Sequence, residues 1–172
     1  MAAKKFLRLV TGRINEVFGT VTSSGAGNDG DIPALDTAGR LDVSLMPVGV
    51  GPDVKIHPSS ENLTAGDWVN IWLDDDTLRV RKADATAVGK EADGFVKDNV
   101  TSPADATVYF GGINDELGSL TLGATYYLST TPGVGSATPP SGNGNVVQRL
   151  GKAISATEIE ADTVDRGIVV VA

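Results

Sequence analysis

Asp67-Trp68-Val69-Asn70-Ile71-Trp72-Leu73, then Asp74-Asp75-Asp76, then Thr77-Leu78-Arg79-Val80-Arg81, is the stretch that decides the fold. Two runs rich in β-branched and aromatic residues flank an acidic tripeptide, which reads as a β-hairpin with an acidic turn. In the second run Leu78 and Val80 fall on one side and Arg79 and Arg81 on the other, the alternation of a half-buried strand. In the first run Trp68 and Trp72 share a face with Asn70 between them.

Working outward, similar short runs recur at 54–57, 94–97, 106–110, 126–129, 146–150, 153–155 and 167–171. The gaps between them hold Pro58, Pro103, Pro132, Pro139-Pro140 and many glycines. With 21 Gly, 8 Pro and only 5 % aromatics, the chain is punctuated too often for long helices. About nine short strands separated by turn signals imply a mainly β domain over 53–172, a small antiparallel β-barrel or jelly-roll-like sandwich.

Residues 1–52 read differently. Over 5–18, Phe6, Val10, Ile14, Val17 and Phe18 fit a helical stripe, but Val10-Thr11-Gly12 and the β-branched content favour a strand. From Ser23 to Pro52 the sequence is turn chemistry, with single apolar residues (Ile32, Leu35, Leu41, Leu45, Met46) and no sustained period. A loop this long is uncommon inside a compact domain, and a flexible linker needs no apolar residues. An extended N-terminal arm along another protein accounts for both, and some 25 residues could reach on the order of 80 Å. The alternative is an arm wrapped on its own domain.

Charge is more telling by position than in total. The net formal charge is −8, but Lys4, Lys5, Arg8 and Arg13 are the only charges in the first thirteen residues, leaving −12 on the remainder. An acidic chain lacks the clustered cations that phosphate binding requires, so nucleic acid is not expected as a partner. A basic leader could instead dock on an acidic protein surface, or stand as a solvated tail. Arg8 and Arg13 interrupt any signal-peptide core, and no run reaches the apolar length of a membrane span. With no cysteine the chain has neither disulfides nor thiolate metal sites.

Signals for catalysis are sparse. His57 is the single histidine, it precedes Pro58, and no nucleophile-elbow sequence accompanies it. Asp74-Asp75-Asp76 could offer oxygens to a hard cation but lacks the spaced ligands of a calcium loop, and reads better as a solvated hairpin tip. Gly49-Val50-Gly51-Pro52 and Gly142-Asn143-Gly144-Asn145 carry no phosphate-loop pattern and read as turns. No catalytic, cofactor or metal residues are therefore expected. Trp68 and Trp72 could be core, a protein interface or a carbohydrate platform.

Four segments carry a resemblance: 35–49 (Leu35-Asp36-Thr37-Ala38-Gly39-Arg40-Leu41-Asp42 and on to Gly49), 63–70, 120–129 (ending Tyr126-Tyr127-Leu128-Ser129) and 147–155. Together and in this order they resemble head decoration, or capsid cement, proteins of tailed bacteriophages. Pieces of them also recur in phage tail-fibre proteins. The resemblance implies a β domain on the outer surface of a virion head, assembled in the bacterial cytoplasm. It would bridge neighbouring subunits of the major capsid protein and associate with itself as a dimer or trimer. It implies no catalytic residues. Under this reading the expected partner-binding residues are Lys4, Lys5, Arg8, Arg13, Leu35, Arg40, Leu41, Leu45 and Met46. The alternative is a tail-fibre or receptor-binding module that recognises surface carbohydrate through Trp68 and Trp72.

Overall fold

The hairpin at 67–81 forms one side of a sheet. In the computed structural model, which describes residues 5–46, 51, 53–161 and 167–172, strand makes up 41 % of the chain and helix 4 %. The chain divides into two units, Met1–Gly51 and Pro52–Ala172.

The first unit holds β1 (Lys5–Val10) and β2 (Arg13–Phe18), an antiparallel pair, then two single turns of 3-10 helix at Ala26–Asn28 and Val43–Leu45. Among its described residues the second holds eleven short strands: β3 (Val54–Pro58), β4 (Trp68–Asp74), β5 (Thr77–Lys82), β6 (Gly94–Phe95), β7 (Asp105–Tyr109), β8 (Gly112–Asn114), β9 (Thr125–Leu128), β10 (Gly135–Ser136), β11 (Val146–Ala153), β12 (Ile159–Ala161) and β13 (Ile168–Val170). They build a five-stranded sheet in the order β3-β7-β6-β4-β5 and a second sheet in the order β10-β9-β11-β12-β8, with β13 alongside β11. Every ladder is antiparallel.

The acidic turn is one residue shorter than its sequence suggests. Asp74 pairs with Thr77, leaving Asp75 and Asp76 as a two-residue loop at φ 45° and 63°. Two left-handed residues in succession match the twist of the flanking strands, and aspartate tolerates that region better than most residues.

The second unit is sandwich-like, and of the two architectures expected the closed barrel is not the one formed. Trp68 and Phe95 from the five-stranded sheet meet Tyr126, Leu128, Leu150 and Ile159 from the other in one buried cluster. Trp68 packs edge-on to Phe95 at 5.6 Å between centroids, and Phe95 stacks on Tyr109 at 5.7 Å. Successive strand residues point to opposite faces, so Val69 joins a second cluster with Val80, Val96, Val100, Ala106 and Val108. The five-stranded sheet is thus covered on both faces where β4 begins. It curls far enough for a parallel bridge to form between Ser59 and Val80, which brings its outer strands β3 and β5 together at one point.

The expected strands at 54–57, 106–110, 126–129 and 167–171 appear within a residue or two of those bounds. The one at 146–150 runs on to Ala153 as β11, because Gly151, at φ 157°, carries the strand through a register shift between Arg149 and Gly151, whereas Ile154 and Ser155 of the strand expected at 153–155 lie in a bend beyond its end. A Cβ at Gly151 would sit 2.0 Å from the Glu160 carbonyl oxygen, so glycine is required there. Strands β8, β10 and β12, two or three residues each, give no sequence signal of their own.

Candidate partner-binding surface

The residues singled out for partner binding all lie in the first unit, where one expected strand is in fact two. Val10 pairs with Arg13 across Thr11 (φ 50°) and Gly12 (φ 80°), a second left-handed two-residue turn. The turn splits the apolar residues between two faces. Residues paired across the ladder share a face, so Leu7, Leu9, Ile14 and Phe18 stand with Lys5 and Glu16, while Phe6, Arg8, Val10, Arg13, Asn15 and Val17 occupy the other.

The second face is the covered one. Phe6 and Val17 are half-buried. The chain after Phe18 crosses this face: a Cβ at Gly19 would lie 2.6 Å from the Ala34 Cβ and 2.8 Å from Phe6 Cε2. Thr20 N–H donates to Ile32 O (2.9 Å), Ala34 N–H donates to Thr20 O (2.9 Å), and an Arg8 guanidinium N–H donates to Gly30 O (3.0 Å). These bonds hold the start of the segment expected to be an extended arm, 23–50, against the hairpin. Over its described part that segment returns to β2 through turns, because glycines and short polar side chains bond locally to their own backbone.

Its turns are built by aspartates. Asp36 Oδ1 accepts from the Ala38 and Arg40 amides, both at 2.8 Å, and Asp36 N–H donates to Arg40 O, closing the loop that separates Leu35 from Leu41. Asp42 Oδ1 accepts from Ser44 N–H at the start of the second 3-10 turn. Hydrogen bonds from Ser44 hold the Asp42 carboxyl below its ordinary value. Asp31 accepts from Asn28 Nδ2 (2.9 Å) and Thr20 Oγ1 (2.8 Å) and is lowered by Asn28 first, then Thr20, with Arg8 adding a smaller Coulombic part. Ser23 N–H donates to Ser44 Oγ (2.8 Å), tying the 20s to the 40s around a cleft of about 360 Å³ that Leu45 and Met46 help to line.

The expected residues are accordingly unlike one another. Lys4 lies outside the described residues. Lys5 is engaged within the unit, its ammonium 2.7 Å from Glu16 and 5.3 Å from the centre of the Phe18 ring. Arg8 is held against Gly30, whereas Arg13 and Arg40 are exposed. Leu35, Leu41 and Met46 are 46 %, 45 % and 40 % exposed, so each still has area to bury, while Leu45 is half-buried. Missing from that set are Leu7, Leu9, Ile14 and Phe18, which are 62–73 % exposed. Only the Thr11-Gly12 turn could have found them, since it alone separates the two faces.

The other sequence candidates fall in the second unit. Trp68 is buried at 3 % exposure, and Trp72 is covered by Arg81, whose guanidinium carbon lies 4.7 Å from the ring centre. The two tryptophans therefore do not form an exposed platform. His57 is half-buried in β3 opposite Ala106. Asp74 faces Arg79 at 3.3 Å. Among the described residues no group of three or more His, Cys, Asp or Glu is placed to hold a metal ion, and no helix is long and apolar enough to cross a membrane.

No protein-family model matches the chain, and no curated protein matches it either.

Proposed function

We propose that this chain is a structural virion protein that decorates the head of a tailed bacteriophage and cements neighbouring subunits of the major capsid protein. The observation that carries the reading is the imbalance of the first unit. Among its described residues ten large hydrophobics, from Leu7 to Met46, are exposed, and the only fully buried hydrophobic residue is the small Ala34. A segment of about fifty residues loses on the order of 50–100 kcal/mol of backbone entropy when ordered, and one buried alanine with the half-buried Phe6, Val17, Ile32 and Leu45 offsets only a small part of it. Such a unit draws its order from surfaces beyond its own. The second unit, with two buried clusters, is a self-sufficient body.

The mechanism is linkage. A clamp stabilises a shell only if it binds the assembled lattice better than isolated subunits. Once the body has docked, contacts made by Leu35, Leu41 and Met46 are effectively intramolecular, and each adds to retention. Arg13 and Arg40, exposed on an otherwise acidic chain, steer the approach to an acidic surface.

The test is co-sedimentation with expanded, undecorated heads across a salt series. Leucine-to-alanine changes at Leu35 and Leu41 should weaken retention at every ionic strength, because apolar burial is little screened. Neutralising Arg13 and Arg40 should matter mainly at low salt, since exposed charges are screened over about 8 Å at physiological ionic strength. Full occupancy after deletion of residues 1–48, at every salt concentration, would remove the first unit from the mechanism.

A further inference from the structure

We infer that Asn143 is a site of spontaneous covalent modification, and that strand β13 is the clasp that delays it. Deamidation begins when the main-chain nitrogen of the following residue attacks the asparagine side-chain carbonyl carbon. A side chain on that following residue crowds the approach. Asn143 is the one asparagine of the chain that precedes a glycine, so its link to Gly144 is the least hindered.

The fold exposes this link and also restrains it. Asn143 and Gly144 are the central residues of a turn closed by Asn145 N–H, which donates to Gly142 O at 3.0 Å, with Gly144 at φ 82°. Both are exposed, so water reaches the side-chain amide. The attacking group, however, is engaged. Gly144 N–H donates to Val171 O at 2.9 Å, and Val171 N–H donates to Asn145 O at 2.9 Å. A proton held by a carbonyl is lost less readily, and a pinned peptide unit cannot turn its nitrogen toward the Asn143 side chain. Reaction therefore waits until the residues around β13 lift away. That opening is local, because Ile168, Val169 and Val170 are 47 %, 62 % and 50 % exposed and pair with β11 over three positions.

In the open turn the Gly144 nitrogen bonds to Asn143 Cγ, and its proton leaves with the side-chain nitrogen as ammonia. One water then opens the resulting succinimide ring. Cleavage at the Asn143 Cγ leaves aspartate, and cleavage at its main-chain carbonyl carbon leaves isoaspartate. The balance is amide plus water to carboxylic acid plus ammonia, with nothing oxidised or reduced. Isoaspartate routes the main chain through Cγ and lengthens it by one carbon, so the bonds to Val171 lose their alignment. The modified chain holds β13 loosely and uncovers β11 from Val146 to Gln148.

The test is incubation of the full chain at mildly alkaline pH, read by peptide mass (exchange of NH for O) and by methylation with an isoaspartyl methyltransferase. Modification should fall on Asn143 ahead of every other asparagine and should nearly vanish in Gly144→Ala. Removing residues 168–172 should speed it about tenfold, since two ordinary main-chain bonds no longer close the turn. If the shortened chain does not fold, as read by near-ultraviolet circular dichroism, Val171→Pro replaces it, because proline cannot donate to Asn145 O. The isoaspartyl form, separated by ion exchange, should show rapid hydrogen exchange in β13 with β4 and β5 unchanged. Asn143→Asp, which has the charge without the extra carbon, should keep β13 protected. An Asn143 that stays intact while the urea-unfolded chain reacts, and reacts no faster once the clasp is loosened, would overturn the inference. So would an isoaspartyl form whose β13 remains protected.

Discussion

Gln148 and Ala92, 56 residues apart, bond to each other twice: Ala92 N–H donates to Gln148 Oε1 at 2.7 Å, and Gln148 Nε2 donates to Ala92 O at 2.8 Å. A buried side chain on β11 thus copies a rung of β-ladder and ties one sheet to the segment that leads into β6 of the other. Gln148→Ala should lower stability by about 2–4 kcal/mol in thermal or urea unfolding. Gln148→Glu keeps the acceptor, loses the donor and buries a charge. Burial raises that carboxyl's native pKa, so this variant should gain on wild type as pH falls and lose again as pH rises through the raised value.

Acid should act in the opposite sense on wild type, and Asp84 is one place where it acts. Burial pushes this carboxyl up, but hydrogen bonds from the Thr86 hydroxyl and amide, with the Lys90 ammonium at 3.1 Å, outweigh burial and hold it below its ordinary value. Its contribution is therefore complete above the unfolded aspartate pKa of about 3.9 and is lost as pH falls through the depressed native value. Asp84→Asn should be less stable than wild type at neutral pH, and the gap should close in acid. A gap that stays constant from pH 7 to pH 2 would count against this account.

The Asp75-Asp76 turn carries two like charges side by side in left-handed backbone. Replacing the pair with Asn-Gly removes both costs and should raise stability by about 0.5–1 kcal/mol, read as a higher urea midpoint at unchanged m-value. A change in m-value would instead mean a shifted register.

In the second unit most of the fold was legible, because alternation is a strong signal wherever one face is buried. Trp68, Val80 and Val108 stand on runs that could only be strands, and the β4–β5 hairpin is off by a single residue at its turn. Strands β8 and β12 were not legible, since Gly112–Asn114 and Ile159–Ala161 are too short to alternate and exist because β11 gives β12 a ladder and β12 gives one to β8. The candidate surface was legible as chemistry and not as geometry. Single apolar residues in turn-like sequence marked 23–52 as a segment that needs another surface, but Lys5 and Arg8, read in the basic leader as docking or solvated charges, are held within their own unit. The apolar face of β1–β2 was hidden because its members lie on both sides of Thr11-Gly12, and Ile14 and Phe18 joined Phe6, Val10 and Val17 of the other face in an apparent helical stripe.

Gly19→Val should act on the first unit alone. Its side chain would collide with Ala34 and Phe6, and should release the Thr20 and Ala34 amides into rapid hydrogen exchange. Exchange in β4 and β5 should be unchanged. Loss of protection in both regions would mean that the two units unfold together.

The bridge between Ser59 and Val80 has a consequence for life at high concentration. Where it forms, the outer strands of the five-stranded sheet are engaged with each other, and Ser60 N–H also donates to Val80 O at 2.8 Å. A foreign strand arriving there finds backbone groups already satisfied, so amyloid-like stacking has no foothold at that end. The hazard lies instead along β13, where Ile168, Val169 and Val170 are all exposed in an edge-forming run without a single charge. One lysine at Val169 should therefore extend the shelf life of a concentrated stock more than any change within the five-stranded sheet.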